Sequence, residues 1–333
     1  MNLVAVSAAS DSAGQEGEVL GDVSVAHPAR ILRLLVSSQG SSGPVSVTVS
    51  ARCTIPVPGR GQVCSEEIVV RAERSDSLFS IVSSLLVADV PTIVLWHLPV
   101  DPEDPLLVPL ATVADRVLVD STAAPNPLLM LRLWHELMFS ARASDGGIQG
   151  VTLAGDLSWT RLAPWRSMLA AAVQSPEMRP LLGAAVSLQI DYTPGALAQA
   201  VLFGAWVASR LGWSLRSAEL SDRGGEITCA AGGSSAALLI RLLPSGVEGQ
   251  EGLTRTVLTG GEGRRVELCQ AETSRCARVT RVHDGVSTDE LVRHAGAGSE
   301  AELLVRELEL LEHDEPYESA MHWASTVLER GGR

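Results

Sequence analysis

The chain has 333 residues, 46% hydrophobic and 20% charged, which is the composition of a folded chain long enough for two cores. Its formal charge of -13 works against binding to a phosphate backbone, so no nucleic-acid partner is expected. All 26 basic residues are Arg, which excludes a Schiff-base lysine, a lysine base and a complete Walker A loop.

In chain order, residues 1–26 are small and polar and are expected to be a flexible N-terminal segment. Ile31 to Val36 predicts a strand, and the alternation Val45, Val47, Val49 predicts a second. The turn Pro56 to Gly61 leads to a third, Ser65 to Arg71, antiparallel to the second. Leu78, Ile81, Val82, Leu85 and Leu86 form a helical stripe that Ser75 or Asp76 can cap. Thr92 to Trp96 reads as an interior strand, Leu106 to Ala114 as a short helix, Arg116 to Asp120 as a strand and Pro127 to Ser140 as a helix.

Beyond a linker at 143–152, Leu162, Trp165, Leu169 and Val173 share one helix face. Val186 to Tyr192 predicts a strand and Ala196 to Leu211 a helix; six short strands follow between 213 and 282, most separated by Gly-rich turns. Ser287–Glu290 and Ser299–Glu302 both have capping-box spacing, so the chain is expected to close with helices. The expected fold class is α/β: an N-terminal α/β sandwich domain over 27–142, then an α+β domain over 153–333. The second domain has a mostly antiparallel sheet and C-terminal helices.

The apolar run Thr193 to Ser209 is too short for a bilayer and contains Pro194 and Gln199, so no membrane is expected. The first basic residue is Arg30, so no secretory leader is expected. Cys53, Cys64, Cys229, Cys269 and Cys276 are odd in number and widely spaced, which favours reduced thiols in the cytoplasm.

No G-x-S-x-G or H-x-x-x-H occurs, so neither a serine nucleophile nor a metal site is expected, and no cofactor. The glycines after Ile31–Val36 make a poor phosphate cradle, because no helix follows them. Adjacent Glu66 and Glu67 point to opposite faces of a strand, and Asp101, Glu103 and Asp104 are expected to be solvated. His27, Arg30, Asp115, Arg116 and Asp120 lie at strand ends, where open α/β sheets place ligands. They are the basis of an alternative, a sugar-phosphate-binding protein or enzyme.

The densest segment runs from Gly155 to Arg166. Asp156 or Ser158 can cap a first turn, Trp159 and Trp165 can bury broad surfaces, and Arg161 and Arg166 can bridge acids. This chemistry suits a partner-binding surface or an interdomain joint.

Three stretches carry a resemblance to the glucose-6-phosphate dehydrogenase assembly protein OpcA family. His27-Pro28-Ala29-Arg30 resembles its "HP.R" motif. Cys64-Ser65-Glu66-Glu67-Ile68 and Leu85 to Trp96 resemble its "C.E.I" and "LL..D.P..LWW", with His97 where the family often has a second tryptophan. Ala114 to Ser121 and Asp156 to Arg166 are similar to its "ADR..VDS" and "DL.WTRL.PWR". The resemblance implies a cytoplasmic, non-catalytic partner of glucose-6-phosphate dehydrogenase in the oxidative pentose phosphate pathway. It would act as an assembly factor or allosteric activator; self-association is left open.

Overall fold

Leu3, Val4, Ala5 and Val6 have no exposed surface, because β1 (Asn2–Ala8) is the middle strand of a seven-stranded sheet in the computed structural model. The structure describes residues 1–9, 13–37, 45–54, 63–140, 153–231, 237–245, 251–271, 276–293, 298–310 and 312–331. They fall into two units. The first comprises Met1–Asp120, Leu133–Leu157 and Ser299–His313; the second comprises Ser121–Arg132, Ser158–Gly298 and Asp314–Arg333. The expected turn at 56–61 and most of the expected linker lie outside the described residues.

After β1 come α1 (Ala13–Ala26), β2 (Arg30–Ser37), β3 (Ser46–Thr54), β4 (Val63–Glu73), α2 (Asp76–Leu85) and β5 (Thr92–Trp96). Then follow α3 (Leu107–Val113), β6 (Arg116–Val119), α4 (Pro127–Ser140) and β7 (Ala154–Asp156). The sheet order is β3-β4-β2-β1-β5-β6-β7, parallel throughout except between β3 and β4. Without the β3 edge, this is the 3-2-1-4-5-6 order of the doubly wound dinucleotide-binding fold.

Residues 1–26 therefore need correction: they hold the central strand and its crossover helix. An unbroken apolar run without alternation marks a strand covered on both faces, and here the small, polar residues after it masked that signal.

After β7 come α5 (Leu157–Arg161), α6 (Ala163–Ala172), α7 (Leu181–Ala184), β8 (Ala185–Tyr192) and α8 (Leu197–Arg210). Seven strands follow: β9 (Ser214–Ser221), β10 (Gly224–Ala230), β11 (Ala237–Pro244), β12 (Leu253–Gly260), β13 (Arg265–Gln270), β14 (Cys276–His283) and β15 (Val286–Arg293). The last elements are α9 (Glu300–Leu308) and α10 (Glu315–Gly331). The sheet order is β15-β14-β13-β12-β8-β11-β10-β9, and β8–β11 is its parallel pair. Leu188, Ile190 and Tyr192 are buried while Ser187, Gln189 and Asp191 face the other way, so this sheet is covered on one side. Gly204 of α8 lies against Ile190 and Ile240, which identifies the covered side.

Ser287–Glu290 lies in strand β15, not at a helix start. Asp284 and Gly285 adopt positive φ, and that turn returns Val286–Arg293 along β14. Ser299–Glu302 is a true capping box. The Ser299 amide donates to Glu302 Oε2 at 2.8 Å, and the Glu302 amide donates to Ser299 Oγ at 3.3 Å.

That box starts α9, which completes the first unit from near the chain's end. Leu303, Leu304 and Leu308 join the core around Leu3, Leu20 and Leu95. Beside them Glu307 meets Arg116 Nη2 at 2.5 Å, with both side chains at most 5% exposed. Arg116 Nη1 also donates to the Leu310 carbonyl at 3.2 Å. Gly155 allows this approach, because a Cβ there would come within 2.6 Å of Glu307 Oε2.

The expectation of reduced thiols is corrected for one pair: Cys53 and Cys64 are directly opposed in the β3–β4 register and joined by a disulfide. Cys229, Cys269 and Cys276 are free thiols. Among the described residues, no helix is long and apolar enough to cross a membrane.

Candidate functional site

In a doubly wound sheet, ligands bind beyond the carboxyl ends of the strands where the winding reverses. Here that point lies between β1 and β5, with the first turn of α1 above it. Glu16 stands in that turn. Its Oε2 accepts from Ser7 Oγ at 3.1 Å and from Arg33 Nε and Nη2, both at 3.2 Å. Its Oε1 lies 3.2 Å from His97 Nδ1, one residue beyond β5, and His97 Nε2 lies 3.5 Å from Glu300 of α9. Arg33 is buried in β2 and also pairs with Glu67 at 3.0 Å. A charged chain Glu67–Arg33–Glu16–His97–Glu300 thus runs from the face of β4 and β2 to the carboxyl end of β5.

Burial penalises the His97 imidazolium, but the hydrogen bond and charge of Glu16, joined by Glu300 and Asp120, outweigh it and raise its pKa. Burial likewise opposes the Glu16 carboxylate, but His97 and Arg33 hold its pKa below the usual carboxylate range.

A dinucleotide does not fit these residues. Its pyrophosphate would need free amides and a glycine turn at the start of α1. The sequence between β1 and α1, Ala9-Ser10-Asp11-Ser12, has no glycine; Gly14 and Gly17 lie within α1, where the Glu16 carboxylate occupies the first turn and Gly17 stands against the Arg33 guanidinium. The glycines weighed as a phosphate cradle follow β2, the second strand of the sheet.

The strand-end cluster is not brought together. His27, Arg30, Asp115 and Arg116 lie at the amino edge of the parallel sheet, whereas Asp120 lies past the carboxyl end of β6. Arg30 pairs with Glu66 at 2.8 Å and donates to the Leu85 carbonyl at 3.0 Å. Asp115 Oδ2 accepts from the Thr92 amide at 2.7 Å. Arg116 serves the buried pair with Glu307. The amino edge is not where such sheets bind ligands, and these residues register strands and helices.

Sequence reasoning missed Glu16, Arg33 and Glu300, and it misplaced Asp104. That side chain is 3% exposed; it accepts from the amides of Leu106 and Leu107, both at 2.8 Å, and pairs with Arg74. An Asp three residues before the apolar start of α3 carried the signal.

The Gly155–Arg166 segment straddles the boundary between the two units. Asp156 ends β7 fully buried. Ser158 Oγ accepts from the Thr122 amide at 2.9 Å, and the Thr122 hydroxyl accepts from the Gln199 amide group at 3.3 Å. The Trp159 indole donates to Asp314 Oδ2 at 2.7 Å, and Asp314 Oδ1 accepts from the Tyr317 amide at the start of α10. The Arg166 guanidinium stacks 3.5 Å from the Trp159 ring centre. Trp159 and Trp165 are 2% and 7% exposed, so neither indole is offered to a partner, while Arg161 keeps partial exposure. Cys269 and Cys276 are not directly opposed: Cys269 faces Arg278 in the register. The turn between them lies outside the described residues. No cluster able to hold a metal occurs among the described residues.

A doubly wound unit followed by a large mixed sheet is an architecture found in sugar oxidoreductases. The 3-ketoreductase KijD10 of Actinomadura kijaniata, solved with NADP and TDP-benzene, superposes with a TM-score of 0.54 at 10% identity, covering 99% of this chain and 96% of that one. The aldose-aldose oxidoreductase of Caulobacter crescentus gives 0.50 at 12% identity, covering 99% and 98%. At such identities the likeness is one of fold alone.

Sequence similarity gives the family. Residues 21–136 match the N-terminal domain, and residues 152–321 the C-terminal domain, of the glucose-6-phosphate dehydrogenase subunit, and the chain belongs to the OpcA family. The putative OxPP cycle protein OpcA of Synechococcus elongatus is 33% identical over 201 residues, 59% of this chain and 43% of that protein. Its counterpart in Synechocystis is 30% identical over 203 residues, 60% and 40%. The match spans less than half the length of these relatives.

Proposed function

We propose that this chain is a non-catalytic partner of glucose-6-phosphate dehydrogenase that binds the enzyme and favours its assembled, active state. The observation that carries this is the crevice between β1 and β5. The fold offers a nucleotide site there, and this sequence fills it with Glu16, His97 and Glu300 bound to one another. A doubly wound unit without that site keeps its rigidity and loses its cofactor chemistry, which suits a scaffold. Both family domains carry the enzyme's name, which supplies the partner.

Such a partner works only by differential affinity, since equal binding to two states of the enzyme shifts neither. Moving an enzyme from almost wholly inactive to almost wholly active needs roughly 10⁴-fold preference for the active state. On this reading the Asp156–Arg166 segment is a positioning element: Trp159 and Arg166 seat α10 on the second unit, and Arg161 is its candidate contact. The test has two arms. NADP added to the chain alone should leave its tryptophan fluorescence unchanged, and the dehydrogenase should co-sediment with the chain. Saturable nucleotide binding together with no co-sedimentation would overturn the proposal.

A further inference from the structure

One face of the second unit's sheet lies under helices; the other bears no helix of that unit among the described residues. The register defines the open face. Leu291, Arg278, Cys269, Arg255, Asp191 and Leu243 form one row across the strands. A second row runs through Thr280, Glu267, Val257, Gln189 and Arg241, and a third through Val282, Arg265, Thr259, Ser187 and Leu239. Leu291 is 66% and Leu243 40% exposed. Toward β15 the face forms a trough of about 730 Å³, flanked by Arg265, Glu267 and Asp289.

Charge distinguishes this face from the rest of the chain. Among the described residues paired in register it carries five arginines, Arg241, Arg255, Arg265, Arg278 and Arg293. It carries five acids, Asp191, Glu219, Glu226, Glu267 and Asp289. The residues that the register places on this face are therefore formally neutral together, on a chain of -13. Several of these charges already pair across strands: Arg255 with Glu267 at 2.7 Å and Asp191 at 3.5 Å, and Arg241 with Glu226 at 2.9 Å. Two acidic chains meeting elsewhere would repel; two of these faces would not.

Size agrees. Eight strands spaced by ~4.8 Å, each contributing about six residues of ~3.3 Å rise, present roughly 750 Å². A standard stable interface buries ~800 Å² per partner. Exposed leucines among neutralised polar groups are also the usual mixture of such an interface.

We propose that the open face of this sheet joins two copies of the chain, packed sheet on sheet about a twofold axis. The occupant is a second copy, because a neutral face with equal numbers of both signs is complementary to itself. This goes beyond the functional reading, and its test needs no enzyme.

Sedimentation of the full chain at micromolar concentration should give twice the 35.1 kDa of one chain. Leu239→Asp and Gln189→Arg each place an unpaired charge in the interface twice, once per copy, and should raise the dissociation constant by about 100-fold or more. Val47→Asp, on the exposed β3 edge of the first unit, should leave the dimer intact. A second measurement needs no variant. In a mixture of isotopically light and heavy chains, a carboxylate-reactive cross-linker should join chains through Asp191, Glu226, Glu267 or Asp289. A single-chain mass throughout, face variants that keep the wild-type mass, or inter-chain cross-links confined to other surfaces would overturn the proposal.

Discussion

Removing the Glu307 carboxylate should unseat the C-terminal return into the first unit. Arg116 sits at the start of β6 with its side chain 5% exposed, and Glu307 is 1% exposed. In Glu307→Ala the guanidinium keeps the Leu310 carbonyl but loses its counter-charge, and an uncompensated buried charge costs about 3–5 kcal/mol. Glu307→Gln retains a hydrogen-bond acceptor and should cost about 1–3 kcal/mol. Replacing both partners, Arg116→Met with Glu307→Leu, should recover most of the loss, because desolvation of the two charges is removed together. Urea unfolding followed by tryptophan fluorescence reads these differences. With a slope of about 2 kcal/mol per molar, Glu307→Ala should move the midpoint of the first unit by roughly 2 M. A shift below about 0.5 M for Glu307→Ala, or a double variant as unstable as that single one, would refute the reasoning.

The His97 cluster gives a pH signature. Because the folded pKa of His97 is raised above the ordinary 6.5, its contribution is complete below that value and is lost as pH rises through the folded pKa. Glu16, held below 4.5, contributes above that value and loses its contribution as pH falls through its folded pKa. His97→Gln should therefore flatten the upper limb of the stability–pH curve; an unchanged upper limb contradicts the assignment. Trp159→Phe removes the indole donor to Asp314 and should cost about 1–3 kcal/mol, read by thermal unfolding of the second unit. An effect below about 0.5 kcal/mol would remove Trp159 as the seat of α10. Reducing Cys53–Cys64, which closes a sequence separation of 11, should cost about 3 kcal/mol, measured by urea unfolding with and without a dithiol reductant. Equal midpoints would show that the bond leaves the unfolded chain unconstrained.

Period and punctuation made much of the fold legible. Val45, Val47 and Val49 announced the β3–β4 hairpin, and Thr92 to Trp96 announced an interior strand through its lack of alternation. The central strand was missed because seven residues at a chain end, followed by Ala, Ser and Gly, resemble a tail by composition. Ser287–Glu290 shows the limit of a spacing rule: two side chains three apart satisfy it in a strand as readily as in a helix. The crevice was the least legible feature. Glu16, Arg33, His97 and Glu300 span most of the chain, and no local pattern links an acid in a first helical turn to a histidine after a distant strand. The Trp/Arg segment was visible as chemistry, but its direction was not. Trp159 points inward because Asp314, 155 positions later, supplies its acceptor.

What this chain does to another protein is tested most directly by titrating it into the glucose-6-phosphate dehydrogenase of the same organism, with activity and particle mass followed together. Both should rise to a plateau at one stoichiometry, while the chain alone reduces no NADP. Activity and mass that stay flat at saturating chain, or turnover by the chain without the enzyme, would contradict a role as the enzyme's non-catalytic partner.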